Sequence, residues 1–198
     1  MIIEGVSLEL QMGQVKAVLG RNGVGKSTLM KCIAGVLPAK SGTVSLNGKE
    51  LPKTSAKRAQ FGVAYVPQGR EIFPRLTTIE NIEVAAFACG HDAKHALSNA
   101  FDKFPALRGR ANVMGGDLSG GQQQILTLAR ALALKPSVIL LDEPTEGIQP
   151  SIIMEIHEIL LELNKSENVA ILLAEQNLDF VCDLATECYL MNRGRIEK

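Results

Sequence analysis

Apolar and polar positions change period several times along the chain, and each change marks an element. Val6, Leu8 and Leu10 alternate with Ser7 and Glu9, the period-two pattern of a half-buried strand. Residues 14–19 turn mostly apolar and run into a glycine-rich stretch, which predicts a buried strand. Residues 27–36 then read as a helix that ends near Pro38. Residues 43–46 read as a strand entering a hairpin turn at Asn47-Gly48, and residues 62–66 as a further strand.

Strand signals stop between about residues 74 and 135. Thr77 and Thr78 open a helical pattern through Ile79, Ile82 and Ala86, and a second helical stretch covers residues 93–104. Ser119 can cap a third helix with Ile125, Leu128, Ala129 and Leu132 on one face. Val138-Ile139-Leu140-Leu141 is an uninterrupted apolar run of the kind that suits a parallel strand covered on both faces. A helix over 150–163, a strand over 169–174 and a last strand over 187–191 follow. Strand and helix alternating at this spacing imply an α/β fold with a mostly parallel sheet.

Composition narrows the function classes. The chain has 198 residues, long enough for one sizeable domain, and 46% hydrophobic residues, which argues against disorder. Its 21 basic and 21 acidic residues cancel, so there is no electrostatic case for nucleic acid as a partner. The short basic run around Lys53, Lys57 and Arg58 reads as a solvated face. Cys32, Cys89, Cys182 and Cys188 have no metal-finger or redox spacing and are expected as free thiols in a reducing cytosol. His91 and His95 lack an evident third ligand, so no metal site is expected there, and His157 reads as structural or solvated. No apolar run approaches the ~20 residues of a membrane span, and no signal peptide opens the chain, so a soluble protein is expected whose membrane role would come through partners.

Three segments carry the chemistry. Gly20-Arg21-Asn22-Gly23-Val24-Gly25-Lys26-Ser27 is a phosphate-binding loop. Gly23 and Gly25 let backbone N–H groups close around phosphate oxygens, and the following helix turns its positive end to the same anion. Lys26 offers a charge to the β- and γ-phosphates, and Ser27 a hydroxyl to Mg²⁺. Asp142 ends an apolar strand, where a carboxylate can reach that metal, and Glu143, pointing elsewhere, is the natural general base for an attacking water. Ser119-Gly120-Gly121 opens a helix and offers a second anion site, although the same triplet also serves as a plain helix cap.

Taken in order, residues 20–27, Gln68, residues 118–122, residues 138–143 and Gln176 resemble ABC ATPases, and the resemblance covers almost the whole chain. It implies a P-loop ABC ATPase fold in which residues 1–73 and 136–198 form an α/β core with an antiparallel β subdomain and residues 74–135 an all-helical insert. Two such subunits pair head to tail around two ATP molecules. Ser119, Gly120, Gly121 and Gln122 would then face the nucleotide of the partner subunit, Gln68 would reach Mg²⁺, and Thr28 would help hold the α-phosphate. The partners implied are a second, identical or different, ATPase subunit, two transmembrane permease subunits and, indirectly, an extracytoplasmic solute-binding protein. The implied location is the cytoplasmic face of the plasma membrane.

Tyr65-Val66-Pro67-Gln68-Gly69-Arg70-Glu71-Ile72-Phe73-Pro74 resembles the importer group for branched-chain amino acids, urea and short amides. Residues 116–124 and 146–151 resemble most the urea-type member, so urea is the expected cargo, with branched-chain amino acids or short amides as the alternative. Three departures qualify the resemblance. Gln176 stands where many relatives have histidine; it can donate a hydrogen bond but takes no proton, which leaves the base role to Glu143. Gln149 replaces a usual aspartate, which is expected to alter communication between the paired sites. The first aromatic is Phe61, whereas relatives carry an adenine-stacking ring well before the glycine loop. Loss of such stacking is expected to weaken nucleotide binding by ~1–3 kcal/mol.

Overall fold

The computed structural model describes residues 3–197. The central sheet has six strands in the order β4-β5-β6-β1-β7-β8. The first of these in the chain, β1 (Val15–Leu19), lies between β6 (Ala170–Glu175) and β7 (Glu187–Asn192) and is parallel to both. β4 (Val63–Val66) pairs in parallel with β5 (Val138–Asp142), and β5 with β6. Only β8 (Arg195–Glu197) runs antiparallel, through a hairpin with β7. Its turn residues Arg193 and Gly194 both have positive φ (45° and 77°), the conformation that matches strand twist in a two-residue hairpin. A separate hairpin joins β2 (Ser45–Leu46) and β3 (Lys49–Glu50) across Asn47-Gly48, where the sequence places the turn.

The apolar run at residues 138–141 is explained by helices on both faces of the sheet. Strand side chains alternate between faces, and each face buries its half in a separate cluster. Ile139, Leu141, Ile171 and Leu173 pack with helical residues such as Leu128, Leu160 and Val181. Val138, Leu140, Ala170 and Leu172 pack with Leu29 and Met30 of α1 (Lys26–Ile33). The result is an α/β fold with a mostly parallel sheet and a small antiparallel one.

Between β4 and β5 the chain is helical. α3 (Thr78–Ala88) starts in a capping box between Thr77 and Glu80, and Asp92 caps α4 (Ala93–Lys103) through the His95 N–H. After the four-residue α5 (Pro105–Arg108), α6 (Gly120–Ala133) starts in a second capping box, between Ser119 and Gln122. Beyond β5, α7 (Pro150–Glu167) starts with proline in its first turn, where the missing N–H has no intrahelical role. It continues four residues past the predicted end. Lys103, at the end of α4, forms ion pairs with Glu162 (3.2 Å) and Glu167 (2.7 Å) of α7. Among the described residues no helix is long and apolar enough to cross a membrane.

Two expectations need correction. Residues 6–10 are not a strand: Val6, Leu8 and Leu10 pack against the sheet's second cluster, but no ladder forms. Glu9 instead bonds the Tyr189 hydroxyl through both its N–H (3.0 Å) and its carbonyl (2.9 Å). Alternation there reports burial of one side, not strand pairing. α2 (Ser55–Gln60), α5, α8 (Leu178–Leu184) and β8 carry no sequence expectation as elements. The basic run at 53–58 is not wholly a solvated face either. It forms α2 (Ser55–Gln60), and Arg58 is buried with its guanidinium donating to the carbonyls of Pro52, Cys32 and Ile33. Arg58 thereby adds donors to carbonyls at the end of α1 that no N–H four residues on reaches.

Arg58→Ala removes charge-assisted donors from three carbonyls and should lower unfolding free energy by about 2–3 kcal/mol. The exposed neighbour Lys57→Ala should change it by less than about 0.5 kcal/mol, both read from urea unfolding.

Candidate nucleotide site

A parallel sheet brings the carboxyl ends of its strands to one edge, and every segment singled out in the core sits there. Residues 20–25 follow β1, Gln68 lies two residues beyond β4, Asp142 ends β5, and Gln176 follows β6. Gly20 is required where the loop leaves the sheet: a Cβ there would stand 2.6 Å from the Met191 carbonyl of β7. Gly25 has φ 114° and precedes α1 with no side chain capping the helix. The first N–H groups of α1 are therefore free to meet an anion, as the glycine spacing predicts.

Lys26 is buried and folds back over its own loop. Its ammonium donates to the Gly20 carbonyl at 2.7 Å and lies 3.1 Å from Glu143 Oε1. Gln68 Nε2 donates to Glu143 Oε2 (3.1 Å) and to Glu146 Oε2 (2.8 Å). Asp142 is wholly buried; its Oδ1 accepts from Ser27 Oγ at 2.9 Å and its Oδ2 from the Tyr65 hydroxyl at 3.1 Å. Burial pushes the Asp142 carboxyl up, while the hydrogen bonds from Ser27 and Tyr65 pull it back. Burial, with the Asp142 charge beside it, drives the Tyr65 phenol well above its ordinary range, so it stays a donor.

Asn22, Gly23, Gly25, Lys26, Ser27, Thr28, Gln68 and Glu143 line one open cleft of about 330 Å³. Arg21, Asn22, Val24 and Gln176 line an adjoining one, with Asn22 common to both. The structure thus brings all of the predicted glycine-loop residues together with Gln68, Asp142, Glu143 and Gln176 at one edge. Ser119, Gly120, Gly121 and Gln122 lie elsewhere, at the start of α6, and line neither cleft. Glu143 departs from simple strand alternation. It follows the end of β5 with φ 48°, and this left-handed turn carries its carboxylate to Lys26. A hydroxyl and a carboxylate side by side form a hard oxygen donor set suited to Mg²⁺, and the uncapped glycine loop suits phosphate.

Three residues of the site have no role in the sequence reading. Tyr65 and Glu146 are described above. Glu175, buried at the end of β6, accepts from the N–H groups of Gln176 (2.8 Å) and Asn177 (3.1 Å) through Oε1. Its Oε2 accepts from the Thr145 N–H (3.3 Å) and hydroxyl (2.8 Å). It ties the segment after β6 to the segment after β5. The only sequence signal for it is an acid ending an apolar strand.

The ABC transporter family matches residues 3–146. A high-affinity branched-chain amino acid transport ATP-binding protein of Pseudomonas aeruginosa is 38% identical over 98% of this chain and 84% of its own length. A probable branched-chain amino acid transport ATP-binding protein of Archaeoglobus fulgidus is 37% identical over the same shares. A nucleotide-free ATP-binding cassette from an ABC transporter superposes with a TM-score of 0.88 at 27% identity, covering 100% of this chain and 84% of that one. This chain therefore belongs to the ABC transporter family, as an ATP-binding subunit. Its activity is ATP hydrolysis.

All four donors around Glu175 point at acceptor-only oxygens. Glu175→Gln should cost about 1–3 kcal/mol of stability, because an amide NH₂ cannot accept from them. Chemical denaturation measures this.

Proposed function

We propose that this chain is the ATP-hydrolysing subunit of a membrane importer for branched-chain amino acids. The observation that carries the reading is the convergence of Lys26, Ser27, Gln68 and Glu143, from three separate segments, on one cleft, with the buried Asp142 hydrogen-bonded to Ser27. The cargo class is supported by the two relatives described above, whose names give branched-chain amino acid transport. Urea, favoured by the resemblance of residues 116–124 and 146–151, has less support and becomes the second arm of the test.

The N–H groups of residues 23 and 25–28 hold the phosphates of ATP, with Thr28 toward the α-phosphate and Arg21, Asn22 and Val24 shaping the loop. Lys26 exchanges its bonds to the Gly20 carbonyl and Glu143 for phosphate oxygens. Ser27, Asp142 and Gln68 would hold Mg²⁺, which when bound neutralises charge on those oxygens. Glu143, released from Lys26, accepts the proton lost as a water oxygen bonds to the terminal phosphorus and the bond to the bridging oxygen breaks. Gln176 donates a hydrogen bond to the terminal phosphate but takes no proton, since an amide has no basic site. Ser119, Gly120, Gly121 and Gln122, remote from this cleft, meet the nucleotide of a second ATPase subunit paired head to tail, identical or different.

The chain sits at the cytoplasmic face of the plasma membrane and docks there, near Gln68 and residues 73–78, against two transmembrane permease subunits. A solute-binding protein acts indirectly from the other side. Residues 74–135 move as a helical unit against the α/β core.

Labelled leucine and labelled urea uptake, measured in cells with and without the gene, test the reading. Loss of leucine uptake alone, restored by the gene but not by its Lys26→Ala form, is the expected result. Loss of urea uptake alone would move the cargo to urea, and unchanged uptake of both would sink the importer reading for either. Glu143→Gln should lower steady-state ATP turnover by at least about 10²-fold while nucleotide is still bound.

A further inference from the structure

The turn after Gln68 is strained without obvious local need. Gly69, Arg70 and Glu71 all have positive φ (88°, 73° and 37°), and two of the three are not glycine. Side-chain residues in this region are uncommon and persist only where the surroundings hold them. Here the holding groups come from the second half of α6. Thr127 Oγ1 donates to the Arg70 carbonyl at 2.6 Å, and Arg130 Nη1 to the Glu71 carbonyl at 2.8 Å.

The strain aims the Arg70 side chain. Its Nη2 donates to the Gly147 carbonyl at 3.1 Å, in the segment between Glu143 and Gln149. The same guanidinium lies against the first residue of α6: a Cβ on Gly120 would stand 2.8 Å from Nη1 and 3.1 Å from both Cζ and Nη2. Gly121 is packed as closely on α7, since a Cβ there would stand 2.9 Å from Ile152 Cγ1. Both glycines thus lie in close contact within this chain, apart from any phosphate they meet. Arg70 itself lines neither cleft beside the glycine loop.

We propose that Arg70 is a positioning residue of the ATPase. It clamps the glutamine loop, the start of α6 and the segment after Glu143 into one body. The inference rests on the reading that residues 119–121 meet the nucleotide held by a second subunit. On that reading the clamp couples one subunit's own cleft, through Gln68 and Glu143, to the surface it offers its partner. A planar fork is needed, because one edge must donate to Gly147 while the group lies against Gly120. A lysine ammonium has no such plane.

The test compares Arg70→Ala, Arg70→Lys and Ser119→Arg in the purified full-length chain. Affinity for a fluorescent ATP analogue, steady-state kcat and KM, and the thermal midpoint are measured for each. Both Arg70 variants should bind the analogue within about twofold of the parent and keep its thermal midpoint, with kcat at least tenfold lower and KM little changed. Ser119→Arg should abolish turnover. Parental kcat in the Arg70 variants, with turnover lost in Ser119→Arg, would overturn the clamp alone. A parallel fall in analogue affinity and thermal midpoint would reduce Arg70 to a structural prop and also overturn it. Parental turnover in all three would remove the reading of residues 119–121 and the clamp with it.

Discussion

Lys26 and Glu143 form an ion pair almost withdrawn from water, with side chains 3% and 5% exposed. Neither charge is tolerable there alone, because a buried charge that loses its partner keeps its full desolvation cost. The arrangement of the edge follows from keeping both satisfied. Lys26 draws the Gly20 carbonyl over itself, which closes the loop around its own lysine. Glu143 uses its second oxygen on Gln68, and Gln68 passes the connection on to Glu146. Loop, strand end and glutamine turn are therefore one hydrogen-bonded unit, and an anion entering the cleft must take over bonds already made.

The two adjacent acids occupy different environments because of one backbone torsion. Asp142 is the last residue of a regular strand and accepts one hydrogen bond on each oxygen, from Ser27 and Tyr65. Glu143 steps into the left-handed region at φ 48°, which costs backbone energy and places its carboxylate where strand geometry would not. Its own N–H donates to the Ala174 carbonyl at 2.8 Å, so the turn remains anchored to β6.

Much of this was legible in the chain wherever the determinant is local. The glycine loop, the apolar run before Asp142 and the Ser119 cap each lie within a few consecutive residues, and the structure places them as read. Residues 6–10 misled because alternation encodes which side is buried and not whether a partner strand exists; Tyr189, 180 residues away, takes the partner's place. Arg58 looked solvated because the carbonyls it serves at Cys32 and Ile33 lie 26 and 25 residues upstream. Tyr65 is 77 residues from Asp142, and Glu175 is 30 from Thr145. Such polar pairings are set by the folded sheet edge and leave no spacing signal.

The Lys103 contacts bear on mechanics. One ammonium at the end of α4 joins two carboxylates a helical turn apart on α7, so the helices beyond β4 are bolted to the layer that covers the sheet. Sliding α4 along α7 would stretch one of these pairs while relaxing the other, which resists small displacements in both directions. Both carboxylates are about half exposed, so the stiffness of the joint is electrostatic and screened by dissolved ions. The ionic strength around the protein therefore sets how firmly this joint holds α4 to α7, without touching the cleft.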